Sequence, residues 1–570
     1  MSALADRQLQ RFSRRRMLGG ALVGGAGLAA AMAGCGKSKT PTPPGGNTGG
    51  ASPAKGQPKR GGTIVDGRFQ VITGRSNDPA VETPVSNTSR RLWYQGLLGL
   101  NAVTLDVEPE VAQKWEQPDQ KTYVFHLQPG VKWHDKPPAG GRALVANDVV
   151  ASLNRSRTKD PKFVNASLLD TVDQITAPDP ATVRITTTRP DAILLGKLGS
   201  DGLLLLAPDV VEKAQKFATP DEVVGTGPFI LKTWEDNVGA QAVRNPAYWK
   251  PGLPYLDAFA FRYFGDLSAA YAALIAKQID LALVTGDQKK DWLGRHPANY
   301  KPILARDDVA TAGWLMPNVR KEPMNDARLP RALRLLTDYA EIHTAHGLVW
   351  FADSQYGSIF TNSLAKWDFT NDEYAKMLFW QTPKDAAIKQ ALDLLTAAGY
   401  SKEKPLSFET YVHVNSGDPR MPAQAQLIQD QWRKNSQGSV NINLKILDGP
   451  QSTAARAKGD FTFALENDAG AFSDPDAWLS QIFRSKASRN YSGFSDSEVD
   501  AMIDKEGATF DNAQRAALVK QIVQVMIERS PMVVTQRLFY MDGVTDRVQD
   551  YAPEVGVAIG RQYEHIWLSA

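Results

Sequence analysis

Apolar residues recur along this chain at two periods, alternation and helical spacing, and segments of the two kinds follow one another from residue 61 onward. Gly61-Gly62-Thr63-Ile64-Val65 reads as a glycine turn entering a strand. Residues 89–100 carry Leu92, Trp93, Gly96 and Leu97 at helical spacing and predict a helix beside that strand. Over residues 121–134, Tyr123, Phe125 and Leu127 alternate, Pro129-Gly130 turns the chain, and Val131 and Trp133 alternate again, which predicts a hairpin. Residues 146–153 follow as a helix with Asn147 as its N-cap, and residues 181–186 as an alternating strand. Gly225-Thr226-Gly227-Pro228 leads into another strand, and Asn245-Pro246 makes a further turn. From Asp326 the character shifts to helices. Ala332, Leu333, Leu335, Leu336, Tyr339 and Ala340 share one apolar face, and Ala387, Ala391, Leu394, Leu395 and Ala398 form a second stripe closed by Gly399. Residues 423–433 are amphipathic and residues 440–444 alternate. Strands interleaved with helices predict an α/β fold with more than one sheet, and no repeat of 20–50 residues interrupts the pattern.

The first 60 residues follow neither period. Ser13-Arg14-Arg15-Arg16-Met17-Leu18 precedes a glycine- and alanine-rich apolar run that ends in Met32-Ala33-Gly34-Cys35. A charged start, a short apolar segment and small residues before a cut describe an export signal, here residues 1–34. The Arg14-Arg15 pair resembles a twin-arginine signal. The small residues before Cys35 resemble a lipoprotein box, with Met32 where leucine is usual; the resemblance implies that Cys35 is lipidated and becomes the mature N-terminus. The run is too short and too glycine-rich to span a bilayer comfortably. Residues 35–60 then form a flexible tether, whose Pro/Gly/Thr/Lys stretch of 25 residues reaches roughly 25–30 Å.

Cys35 is the single cysteine of the chain, so no disulfide forms within it and stability rests on packing. The 510 or so residues that follow the tether suffice for two or three domains. The formal charge of +3 becomes −1 without residues 1–34, which hold five arginines and one aspartate. A nearly neutral body with interspersed charges carries no nucleic-acid footprint. Thirteen Trp and sixteen Tyr suit a cleft that grips an amphipathic ligand.

A series of collinear segments resembles the family 5 extracellular solute-binding proteins, the peptide receptors of ABC importers. They are Pro109-Glu110-Val111-Ala112 with Trp115, residues 123–134, Ala146-Asn147-Asp148-Val149, Gly225-Thr226-Gly227-Pro228-Phe229 and Arg244-Asn245-Pro246-Ala247-Tyr248-Trp249. Residues 325–333, Leu394 to Tyr400, Asp474-Pro475-Asp476 and Tyr491-Ser492-Gly493-Phe494 continue the series. The resemblance implies a two-lobed periplasmic-binding-protein-like fold with an extra N-terminal domain and a hinged cleft between the lobes. Residues 61–97, 208–312 and 535–570 would build lobe one, 98–207 the extra domain and 313–534 lobe two, with hinge strands near Ala312 and Val534. It further implies a monomer that delivers its ligand to an ABC permease, exported and lipid-anchored on the outer face of the cytoplasmic membrane or periplasmic.

The same resemblance places Trp314 along the cleft floor and Asp468, Ala471 and Ser473 in a loop facing the ligand. Ala471 stands where peptide-binding relatives carry the aspartate that pairs with the ligand's ammonium group. A dry cleft needs a carboxylate for that charge, so either Asp468 or another acid substitutes, or the ligand is not a peptide with a free amino terminus. Oligosaccharides, opines and metal chelates are the family's other ligands.

Other patterns lead nowhere. His343 and His346 share a helix face but lack further metal ligands, and Ser156-Arg157-Thr158-Lys159 lacks the companion motifs of penicillin-recognising enzymes. No Gly-x-Ser-x-Gly, phosphate loop or dinucleotide fingerprint appears, which implies no cofactor, no metal and no catalytic residues. The remote alternative is an exported lipoprotein hydrolase.

Overall fold

A computed structural model describes residues 57–68, 76–81, 89–101, 104–160, 162–214, 216–284, 286–295, 311–347, 360, 364, 367–381, 384–414, 420–468, 474–487, 489–534, 541–551 and 563–569. Strands gather into one six-stranded, one five-stranded and one four-stranded sheet, with two small ribbons. The six-stranded sheet runs Met541–Val544, Leu281–Val284, Thr63–Arg68, Ala258–Tyr263, Gly239–Arg244, Phe229–Glu235 in spatial order. Its three middle strands are parallel, with Ile64 beside Phe259 and Asp66 beside Leu281. The five-stranded sheet runs Val440–Asp448, Leu406–Val414, Phe463–Asp468, Thr311–Pro317, Val533–Val534. Its first three strands are parallel, and Thr311–Pro317 lies between Phe463–Asp468 and Val533–Val534, antiparallel to both. This is a two-lobed α/β fold, one lobe on each large sheet.

The antiparallel four-stranded sheet, Ala112–Asp119, Thr122–Leu127, Thr182–Thr187, Val172–Asp179, does not have a core of its own. Tyr123, Phe125 and Val183 from it join Ile64, Phe229 and Phe259 of the first lobe in one buried cluster, whereas the second lobe closes a separate one around Trp432, Phe463 and Trp478. Continuous packing makes the first lobe and the four-stranded sheet one body. A buried ionic fork pins them as well. Arg91 donates to Glu110 Oε2 at 2.8 Å, to Asp201 Oδ1 at 2.5 Å and to the Gly199 carbonyl at 2.5 Å, and all three side chains are buried.

Three local expectations need correction. Residues 89–100 are not a helix: a single 3₁₀ turn, Arg90–Leu92, is followed by the strand Leu98–Leu100. Leu92, Trp93, Leu97 and Leu98 are buried, so the run is apolar on all sides and its period carries no information. The turn at Pro129-Gly130 does not join two paired strands. Thr122–Leu127 pairs instead with Ala112–Asp119 and Thr182–Thr187, while residues 131–133 bond locally to 142–144. The helix Ala146–Ser156 is capped from Val145, whose N–H donates to Asp148 Oδ2 at 3.1 Å, and Asn147 lies exposed inside the first turn.

The segment after that turn positions a buried histidine. His134 Nδ1 accepts from Gly225 N–H at 3.3 Å, so Nε2 carries the proton and donates to the Gly227 carbonyl at 3.1 Å. Burial holds its pKa down to about 4 from 6.5, and the carbonyl contact opposes that only in part. The unfolded chain therefore binds this proton first. Stability is full above pH 6.5 and should fall by about 3 kcal/mol as pH drops to 4. Urea unfolding across that range should show this limb in the parent and a flatter one in His134→Gln.

Candidate functional site

Both large sheets end at the places where the chain passes between lobes. It leaves the first lobe after Leu281–Val284 and the helix Gly286–Arg295 packed on it, and enters the second at Thr311–Pro317; it returns from Val533–Val534 to Met541–Val544. The two strands at the second-lobe end are hydrogen-bonded neighbours, Trp314 facing Val534 and Leu315 facing Val533, as are Leu281–Val284 and Met541–Val544 in the first lobe. From Val534 to Met541 the chain spans at most about 25 Å, so the facing sheet ends are no farther apart than that. Arg68, Tyr263 and Val284 are carboxyl ends of parallel strands on one side, and Val414 and Asp468 on the other. Ligands of open α/β sheets bind outside such ends, which makes the space between the lobes the candidate site.

Two of the residues singled out in the sequence belong to neighbouring strands of the second-lobe sheet. Trp314 and Asp468 lie on adjacent antiparallel strands at this sheet end, with Trp314 opposite Glu466 and Asp468 opposite Thr311. The register slips between Ala312 and Trp314, a bulge of the kind that re-aims a strand end. Ala471 and Ser473, like Cys35, Arg14 and Arg15, lie outside the described residues. His343 and His346 both fall in the helix Tyr339–Gly347.

Asp474 is committed elsewhere. Its side chain caps the helix Pro475–Trp478, accepting from Asp476 N–H at 2.9 Å, and both its oxygens pair with Arg515. Arg515 also donates to Glu506 Oε1 at 2.6 Å. A carboxylate so engaged is not available to a ligand's ammonium group. Sequence reasoning missed this cluster because its partners are 41 residues apart and no local pattern joins them. Glu466 was missed as well. It is buried within the central strand, accepts from Tyr411 Oη at 2.5 Å and lies 3.5 Å from Arg456. His413 Nδ1 lies 2.6 Å from Ser452 Oγ, the spacing of a nucleophile and its base. Ser452 has no exposed surface, however, so no substrate reaches it, and the pair fastens the helix Gly449–Lys458 to its sheet.

The family model for "Bacterial extracellular solute-binding proteins, family 5 Middle" matches residues 106–490, and the chain belongs to that family. It is 26% identical to the heme-binding protein A of Haemophilus influenzae over 495 residues, 83% of this chain and 86% of that one. To the dipeptide-binding protein of Escherichia coli it is 26% identical over 483 residues, 80% and 86% of the two chains. Among solved structures, the murein tripeptide binding protein of Escherichia coli superposes with a TM-score of 0.76 at 20% identity, covering 90% of this chain and 98% of that one. The unliganded open form of the same protein gives 0.64 at the same identity and 90% and 97% coverage. Among the described residues no helix is long and apolar enough to cross a membrane.

Proposed function

We propose that this protein captures a solute, in the first instance a peptide, between its lobes and delivers it to an ABC permease while held at the membrane by lipid on Cys35. The observation that carries the reading is the paired double crossing, which leaves two separately cored lobes face to face at their strand ends. Closing such a cleft excludes water and strengthens each polar contact with the ligand. The dipeptide-binding relative supports a peptide. The heme-binding relative, Ala471 in place of the ammonium-pairing aspartate, and the engagement of Asp474 by Arg515 favour a second reading, a ligand without a free amino terminus.

Native mass spectrometry of the purified protein tests both. A co-purified intact peptide supports the first reading, another small molecule the second, and turnover of peptides or glycosides overturns them. Trp314→Ala is expected to leave the melting temperature of the ligand-free protein unchanged and abolish its rise with ligand. A core tryptophan would instead cost about 3–5 kcal/mol in the ligand-free protein. If the ligand is an amine-bearing peptide, Asp468→Asn should weaken it tenfold or more, and an unchanged affinity removes Asp468 as the partner. Cys35→Ser should release the protein from carbonate-washed membranes, since the lipid chains supply the anchorage.

A further inference from the structure

The body formed by the first lobe and the four-stranded sheet touches the second lobe away from the crossings, through residues 189–197. Arg189 Nη1 donates to Asp504 Oδ1 at 2.7 Å. Ala192 N–H donates to the Gly507 carbonyl at 2.9 Å. Lys197 Nζ lies 3.0 Å from Asp191 Oδ2 on its own side and 3.9 Å from Asp476 Oδ2 across the contact. Arg189 and Lys197 of one body face Asp504 and Asp476 of the other, while Asp191 stands beside Lys197 and Arg484 of the second lobe also donates to Asp504. The Lys197 and Asp476 side chains are 11% and 7% exposed, while Arg189 and Asp504 are each 46% exposed. A cavity of about 80 Å³ lined by Thr171, Asp191, Ser480 and Arg484 lies at the contact.

Asp476 is not held loosely. It belongs to the short helix that Asp474 caps, and Asp474 is tied through Arg515 to Glu506, at the end of the helix Ser497–Gly507 that also supplies Asp504 and Gly507. The three groups reached by residues 189–197 are thus one connected unit. In sequence this unit begins directly after Ser473, the last of the residues placed toward the ligand.

We propose that this contact is a clasp, a second closure element by which residues 189–197 grip the second lobe and set the fraction of ligand-free molecules that are closed. It rests on the hinged-cleft reading above. In the hinged-cleft reading the lobes rotate about two crossings flanked by paired strands, and that pairing within each lobe favours neither position. The clasp supplies the bias, and its direct continuation from the ligand-facing segment lets a bound ligand reinforce it. Ligand affinity then scales with the closed fraction.

Spin labels at Val238→Cys and Ile446→Cys, exposed positions on different lobes, report the lobe separation in the full chain carrying Cys35→Ser. Arg189→Glu should raise the ratio of open to closed molecules about threefold, the size expected of an exposed pair, with the same change on raising salt in the parent. Lys197→Met, which unpairs two buried carboxylates, should raise it tenfold or more. Arg189→Glu touches only exposed side chains and keeps the test valid if Lys197→Met fails to fold. Distances unchanged in Arg189→Glu, in a parent that moves when a dipeptide and tripeptide mixture is added, overturn the clasp and leave the hinged cleft standing. One fixed distance in parent and variants, with and without those peptides, overturns both.

Discussion

Arg91→Met should cost about 3–5 kcal/mol in urea unfolding at neutral pH, as expected when one partner of a buried ionic group is removed. Arg91 pairs with both Glu110 and Asp201, and its loss removes the guanidinium that bridges two buried carboxylates. Burial already pushes the Asp201 carboxyl above its usual range even with the guanidinium present. In the variant the folded state therefore binds protons more readily than the unfolded chain, and stability is regained as pH falls. The deficit at pH 5 should be smaller than at pH 7.5. A deficit that is absent, or constant with pH, would show that the fork does not hold the two parts together.

Gly225→Ala is expected to be as damaging for a different reason. A β-carbon at that position would lie 1.8 Å from the Trp93 carbonyl oxygen, and one at Gly227 2.7 Å from that of Leu92. Neither obstacle is a side chain that can swing away. Overpacking usually costs about 1–3 kcal/mol, and a backbone clash of this depth belongs at the upper end or beyond. The strand approach it prevents also carries Gly225 N–H onto His134, so the pH limb of that histidine should change as well. Gly196→Ala is the control. Nothing lies within 4 Å of its added carbon, and it sits inside a helix, so it should be neutral or slightly stabilising.

These two sites show what was legible beforehand. The Gly225-Thr226-Gly227-Pro228 segment stood out as a turn, but the need for glycine at Gly225 comes from Trp93, 132 residues away. Strands with one wet face, such as Thr182–Thr187 and Val440–Asp448, were readable because alternation survives where water meets one side. Leu92 to Leu98 was not, because burial on all sides erases the period. Trp314 and Asp468 were readable only through family resemblance, and pairing places their strands side by side. Lys197 and Arg515 carried no signal, and Asp476 stood out only within the Asp474-Pro475-Asp476 segment: each is an ordinary charged residue until tertiary structure gives it a partner.

The first strand of the first lobe, Thr63–Arg68, shares its sheet with Met541–Val544, and Arg547 donates to the Thr63 carbonyl at 3.1 Å. Strands that begin 478 residues apart in the chain are thus mutually dependent. At about 5–20 residues per second, roughly 25–95 s pass between their syntheses. During that interval the six-stranded sheet lacks its edge strand Met541–Val544, while residues 1–34, if they serve as an export signal, are already available to the membrane. A route that threads unfolded chains would welcome this delay. If the Arg14-Arg15 pair directs a route that accepts only folded cargo, export must wait until Met541–Val544 has joined the sheet, and the order of segments along the chain would then set its timing.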